Sequence, residues 1–236
     1  MAYTQLSDRI RAILTACRPG ENPVNAALDL IEKIFEPYQT RADMTYRYEH
    51  SLRTGIRGRE IADGEGWTWE PLVIACLLHD TGYAECTEQA DFRIHQEISA
   101  EIAEIFLANI GYDPEQSRRI RCAVFLHNLW DRLPDDAAPF ELSVRDADDL
   151  DRFDALRIYK KGASMMGDSC AAEIADMCRS QLDEIESHRS RPCATPTAQK
   201  LWNDQLAFRE RYFRDLLDEM DKTAGCMRYF TEKNEV

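Results

Sequence analysis

No CxxC pair occurs in the chain, no GxxxxGK[ST] loop, and no apolar run approaching the ~18 residues of a membrane span. The first absence fits a chain without a disulfide framework. Cys17, Cys76, Cys86, Cys122, Cys170, Cys178, Cys193 and Cys226 are scattered, and they read as buried free thiols of a reducing compartment. The second removes P-loop nucleotide chemistry, and "GEGW" is no substitute for it. The third, with an N-terminus "MAYTQLSDRIRAIL" lacking an apolar signal core, makes the expected location cytoplasmic. Basic residues are also short: 29 Lys and Arg stand against 43 Asp and Glu, a net charge of −14. That average field repels long nucleic acid and anionic membranes. It does not repel a small phosphorylated ligand, because a bound cation reverses the local sign.

Strand-period alternation is scarce, and no internal repeat, low-complexity tract or long heptad pattern exists. Helical periodicity runs almost throughout, so the expected class is all-α. Ser7 is placed to cap a first helix, and Leu28, Ile31, Ile34 and Phe35 form the stripe of a second. A third spans about 45–62, with Tyr48, Leu52 and Ile56 as its stripe. A fourth closes the apolar run "PLVIACLL" at His79, next to Asp80. "TGYAECTEQADF" reads as a loop. A fifth helix follows, with Ile98, Ile102, Ile105 and Phe106 inward and Gly111 at its C-terminal cap. Asp113 and Pro114 open a sixth. "ELSVRDADDLDRFDALRIYKKG" is expected as one helix ending at Gly162, followed by two more on either side of the linker "RSRPCATPT".

Only five histidines are present, and His50, His79, His95 and His127 each fall on a separate helix with apolar neighbours one turn away. Buried imidazole needs polar partners on both nitrogens. Several imidazoles meeting carboxylates find them most economically in a metal ion. "VRDADDLDRFD" offers Asp146, Asp148, Asp149, Asp151 and Asp154, most of them expected on a solvated face. His188, near the linker, is expected at the surface. Ser143, Ser164 and Ser169 lack a nucleophile-elbow context. Trp130, one turn after His127, is a candidate pocket wall; Trp67, Trp69 and Trp202 read as core or wall.

Taken in order, "YEHSLRTGIRGREIA", "ACLLHDTGY", "IHQEISAEIAEIF", "AVFLHN" and "RDADDLD" resemble the HD-domain superfamily of metal-dependent phosphohydrolases, most closely its small bacterial hydrolases. The core likeness covers about 46–161, and "TPTAQKLWNDQLAFRERYFRDLLDEM" is similar to the closing segment of those relatives. The resemblance implies one domain over 1–236: an HD-domain helical bundle with helical extensions at 1–45 and 162–236.

It implies that His50, His79, Asp80 and Asp148 hold a first ion, with Asp146 as the alternative to Asp148. His95 and His127 then hold a second ion bridged by Asp80, or contact phosphate where only one ion binds. Many relatives have Arg after the last ligand; here Asp149 stands there. The donors suit Mn, Fe, Co, Ni or Zn, one ion or two. The implied catalytic set is Asp80, His95, His127, Arg53 and Arg152, acting through a metal-activated water on a small phosphorylated substrate such as a nucleotide. Arg53 and Arg152 lie one turn after His50 and Asp148, with Lys160 and Lys161 about three turns along from Asp148 as further phosphate-binding cations. Two other readings accompany this one: a diiron HD-type oxygenase, and a non-catalytic ligand-binding HD domain. A homodimer is possible for such a helical chain.

Overall fold

In a computed structural model, residues 6–20, 22–38, 45–86, 94–129, 133–134, 137–165 and 169–226 are described. They form ten α-helices: α1 (Asp8–Ala16), α2 (Pro23–Phe35), α3 (Thr45–Glu65), α4 (Trp69–Leu78), α5 (His95–Asn109), α6 (Pro114–Leu126), α7 (Pro139–Arg152), α8 (Ala155–Met165), α9 (Ala171–His188) and α10 (Pro196–Ala224). No strand occurs among the described residues. The chain divides into two compact units, Met1–Asp151 with Cys193–Ala198, and Arg152–Pro192 with Gln199–Val236. Trp130 lies outside the described residues, as does the side chain of Lys161.

Helix boundaries follow local chemistry. Ser7 accepts the Ile10 N–H and opens α1, and Asp113 accepts the Gln116 N–H and opens α6 with Pro114 in its first turn. Gly111, at φ +70°, closes α5 together with the Tyr112 N–H to Leu107 carbonyl bond. Within the first unit α4 is the central element. Every residue from Pro71 to Leu78 is buried, so it is apolar all round rather than amphipathic.

α3 departs from expectation. Ile56, assigned to its inward stripe, is 58% exposed. The face that packs is mostly small or polar instead, His50, Ser51, Thr54, Gly55, Gly58 and Ala62, with Ile61 buried near its end. A Cβ on Gly58 would stand 2.6 Å from the Cys76 sulfur, so the glycine is what lets α3 come so near α4. Small side chains here place His50 beside His79.

The helix expected to run from 141 to Gly162 breaks at Phe153–Asp154. α7 and α8 are therefore separate helices, and Lys160 does not continue the Asp148 face. Nor is the acidic segment solvated. Asp146, Asp148, Asp149 and Asp151 are all buried, and Asp154 is half-buried. The cysteines are free, but Cys170 and Cys226 are exposed, while Cys76 and Cys178 are buried as expected.

In the second unit, His188 is half-buried rather than on the surface. Its ring meets Phe153 at 4.9 Å and Trp202 at 6.1 Å between centroids. Arg209, also buried, stacks over Phe153 and donates to Gln181.

Candidate metal centre

Four histidines and two aspartates from five segments meet inside the first unit. His50 comes from the second turn of α3. His79 and Asp80 follow the last turn of α4. His95 begins α5, His127 follows α6, and Asp148 lies in α7. Each histidine is 1% exposed or less, and Asp80 is fully buried. His50, His79 and Asp80 form one group whose donor atoms all lie within 4.8 Å of one another, and Asp80, His95 and His127 form another. Asp80 belongs to both.

The rings turn their Nε2 atoms inward. His50 and His79 bring theirs to 3.2 Å, and His95 and His127 to 3.1 Å. Asp80 Oδ1 sits 3.5 Å from Nε2 of His79 and of His95 and 3.6 Å from that of His127. These spacings exceed hydrogen-bond length, and this buried oxygen has no hydrogen-bond partner. Asp148 Oδ1 lies 3.1 Å from His50 Nε2 and 4.0 Å from His79 Nε2. Asp146, the alternative, is employed elsewhere: its Oδ2 accepts the Ala194 N–H at 2.6 Å.

The outer nitrogens explain the inward turn. His79 Nδ1 is 2.6 Å from the Cys76 carbonyl, and His127 Nδ1 is 2.6 Å from the Val124 carbonyl. A carbonyl only accepts, so Nδ1 carries the proton and Nε2 presents a lone pair to the cluster. Supported histidines of this kind are the usual metal ligands. His50 Nδ1 lies 2.6 Å from Asp151 Oδ2, which has the same effect through a carboxylate. The residues therefore fit a divalent ion, or two sharing Asp80.

Electrostatics agree with that fit. Burial pushes His79 down to about 4, which keeps it neutral and ready to ligate. Burial also pulls on His50, but Asp148 and Asp151 outweigh it and hold it at about 9. An ion held beside His50 would exchange with that proton. Burial opposes the charge of Asp80. His79, His127, Arg47 and His95 overcome that opposition and hold the carboxyl well below its usual range.

The expected cations fall differently. Arg53 is paired with Asp151 through its Nε, and its side chain is 22% exposed. Arg152 is exposed at the end of α7. Two residues bonded to the cluster have no assigned part in the ligand or catalytic sets that the sequence suggests: Asp151, expected with its acidic neighbours on a solvated face, and Arg47. Asp151 orients both His50 and Arg53. Arg47 donates from Nη1 to Asp80 Oδ2 at 2.7 Å. Their cue was register: Arg47 lies three residues before His50 and Asp151 three after Asp148, one helical turn in each case.

Because Asp151 fixes the His50 ring, Asp151→Asn is expected to weaken metal binding by ~10–100-fold with the fold retained. Competition against a chromophoric chelator measures this, and far-UV circular dichroism checks the fold.

A cavity of about 460 Å³ opens at the far ends of the same helices, walled by Trp67, Pro71, Tyr112, Arg119 and Phe140. None of its lining residues belongs to the His–Asp cluster.

Residues 47–156 match the family model of the HD domain. Among solved structures, the chain is similar to the 1.45 Å crystal structure of a "predicted HD superfamily hydrolase" from an uncultured Thermotogales bacterium. The TM-score is 0.60 at 22% identity, over 83% of this chain and 91% of that one, a likeness of fold. No curated protein matches the chain.

Proposed function

We propose a function from one premise: the chain belongs to the HD-domain superfamily. The proposed activity is metal-dependent hydrolysis of a phosphoester or phosphoanhydride bond in a small phosphorylated molecule such as a nucleotide. One observation carries it. A single buried carboxylate, Asp80, is shared between two three-residue groups able to hold an ion. The structural relative is named as a predicted hydrolase, which supports the same reaction class.

The residues that would hold the ions are His50, His79, Asp80 and Asp148 on one side, and Asp80, His95 and His127 on the other. The metal is proposed to be Mn, Fe, Co, Ni or Zn. When bound, it supplies a Lewis acid that acidifies water and polarises a phosphoryl oxygen. The protein supplies the frame. Asp151 and the carbonyls of Cys76 and Val124 hold three imidazoles in one tautomer. Burial keeps bulk water away from the charges, which strengthens every electrostatic contact inside. The net charge of −14 favours a small substrate over long nucleic acid, and the proposed location is cytoplasmic. No helix among the described residues is long and apolar enough to cross a membrane.

The test is a panel of nucleotides and simple phosphate esters, assayed with each of the five metals. Release of phosphate or pyrophosphate from at least one substrate is expected, lost with a chelator and restored by metal. Absence of release across the panel rejects the reading. Oxygen uptake by iron-loaded protein, without such release, would put the diiron oxygenase in its place.

A further inference from the structure

Arg47 touches the His–Asp cluster directly, through its Nη1 bond to Asp80 Oδ2. Its guanidinium is clamped between two tyrosines, 3.5 Å from the ring centroid of Tyr83 and 4.7 Å from that of Tyr46. Tyr83 in turn stacks on His95, with centroids 4.0 Å apart and planes 18° off parallel. A planar fork held in this way has already lost its rotamer freedom, so little is forfeited when it binds an anion. Its cationic face also gains from both rings.

Two further features point to a ligand. Arg47 is 9% exposed, and its Nε–H is buried without a hydrogen-bond partner. A buried donor left in that state is costly, and an anionic oxygen relieves the cost. The side chain of Arg47 is also more open to solvent, at 11%, than the four histidines or the two aspartates of the cluster, which reach at most 3%. The Arg47 side chain thus reaches nearer to solvent than the histidines and aspartates it adjoins. Arg53 is tied to Asp151 and Arg152 is exposed, so neither matches that position.

We infer that Arg47 is the phosphate-binding residue of this site, its clamped guanidinium contacting a phosphoryl oxygen of a substrate held against the Asp80 side of the cluster. The inference rests on the phosphohydrolase reading, but its test requires no turnover. Inorganic phosphate is titrated calorimetrically into metal-loaded protein, and metal per chain is measured on the same samples by plasma mass spectrometry.

Arg47→Gln is expected to weaken phosphate binding by ~10–100-fold, the scale of a lost charge-assisted bond, with metal content unchanged. Arg47→Lys, which keeps the charge but not the fork, is expected to fall between Arg47→Gln and the wild type. Wild-type phosphate affinity in Arg47→Gln overturns the assignment. So does a loss that appears only in Arg53→Gln or Arg152→Gln. Loss of metal from both Arg47 variants also overturns it, since Arg47 then only positions Asp80. Reduced phosphate binding in Arg47→Gln, with no substrate hydrolysed by the wild type, keeps the anion site and removes the hydrolase reading.

Discussion

Asp80→Ala is expected to abolish turnover, by about three orders of magnitude or more, and to strip the protein of tightly held metal. Losses of this size arise when one member of a group that acts as a unit is removed. Asp80 is that member, because its carboxylate is common to both candidate ion-holding groups. It is fully buried, and Oδ1 faces three imidazoles while Oδ2 is bonded to Arg47.

Two readouts separate the chemistry from the fold. Metal per chain on protein isolated without chelator is expected to drop toward zero. Far-UV circular dichroism is expected to stay helical, most clearly in Asp80→Asn, where the amide oxygen can still accept from Arg47. Asp80→Ala leaves the Arg47 guanidinium buried beside imidazoles with no acceptor, a change that costs about 3–5 kcal/mol when a buried pair is broken. A variant that retains both metal and full hydrolysis would show that the cluster is not the centre of the reaction.

The second large effect comes from a glycine rather than a ligand. Gly82 lies in the 3₁₀ turn Thr81–Glu85, directly after His79 and Asp80. A Cβ there would stand 2.1 Å from the carbonyl oxygen of His95 and 2.8 Å from the backbone nitrogen of Ser99. Backbone atoms cannot rotate away as a flexible side chain can. The turn and the start of α5 must therefore separate in Gly82→Ala, and the Gly82 N–H bond to Ser99 Oγ at 2.8 Å breaks with them. The expected cost is ~3 kcal/mol or more, the upper end of overpacking, which corresponds to a fall in Tm of roughly 6–12 °C. His95 moves with its own carbonyl, so weaker metal binding is expected alongside the loss of stability. Gly162→Ala is the control, since a Cβ there meets nothing within 4 Å. Equal Tm values for the two variants would refute the backbone-contact explanation.

These examples show why some of this molecule was legible in its sequence and some was not. The inward histidines were readable because each imidazole sat among apolar neighbours at helical spacing, and the cluster brings His50, His79, His95 and His127 together. The inward face of α3 was misread because Tyr48, Leu52 and Ile56 are larger and more apolar than Ser51, Thr54 and Gly58. Close helix approach selects for small size, which a hydrophobic stripe does not register. Burial of the acidic run in α7 was hidden for a related reason. Charge density reads as solvation until its partners are known, and here they come from distant parts of the chain: His50 and Arg53 for Asp151, Ala194 for Asp146. The break between α7 and α8 has no proline or glycine at Phe153–Asp154 to mark it.

The places where α4 and α6 stop have an effect of their own. Both helices run out at a histidine of the cluster, His79 and His127. The final carbonyls of an α-helix carry about half a negative charge, concentrated in the last turn. Two such ends converge here, and Asp80 sits at the end where a carboxylate is least welcome. Peptide dipoles thus form a trap for positive charge underneath the side chains. A weak residual pull on cations should outlast any single ligand substitution, because it belongs to the main chain.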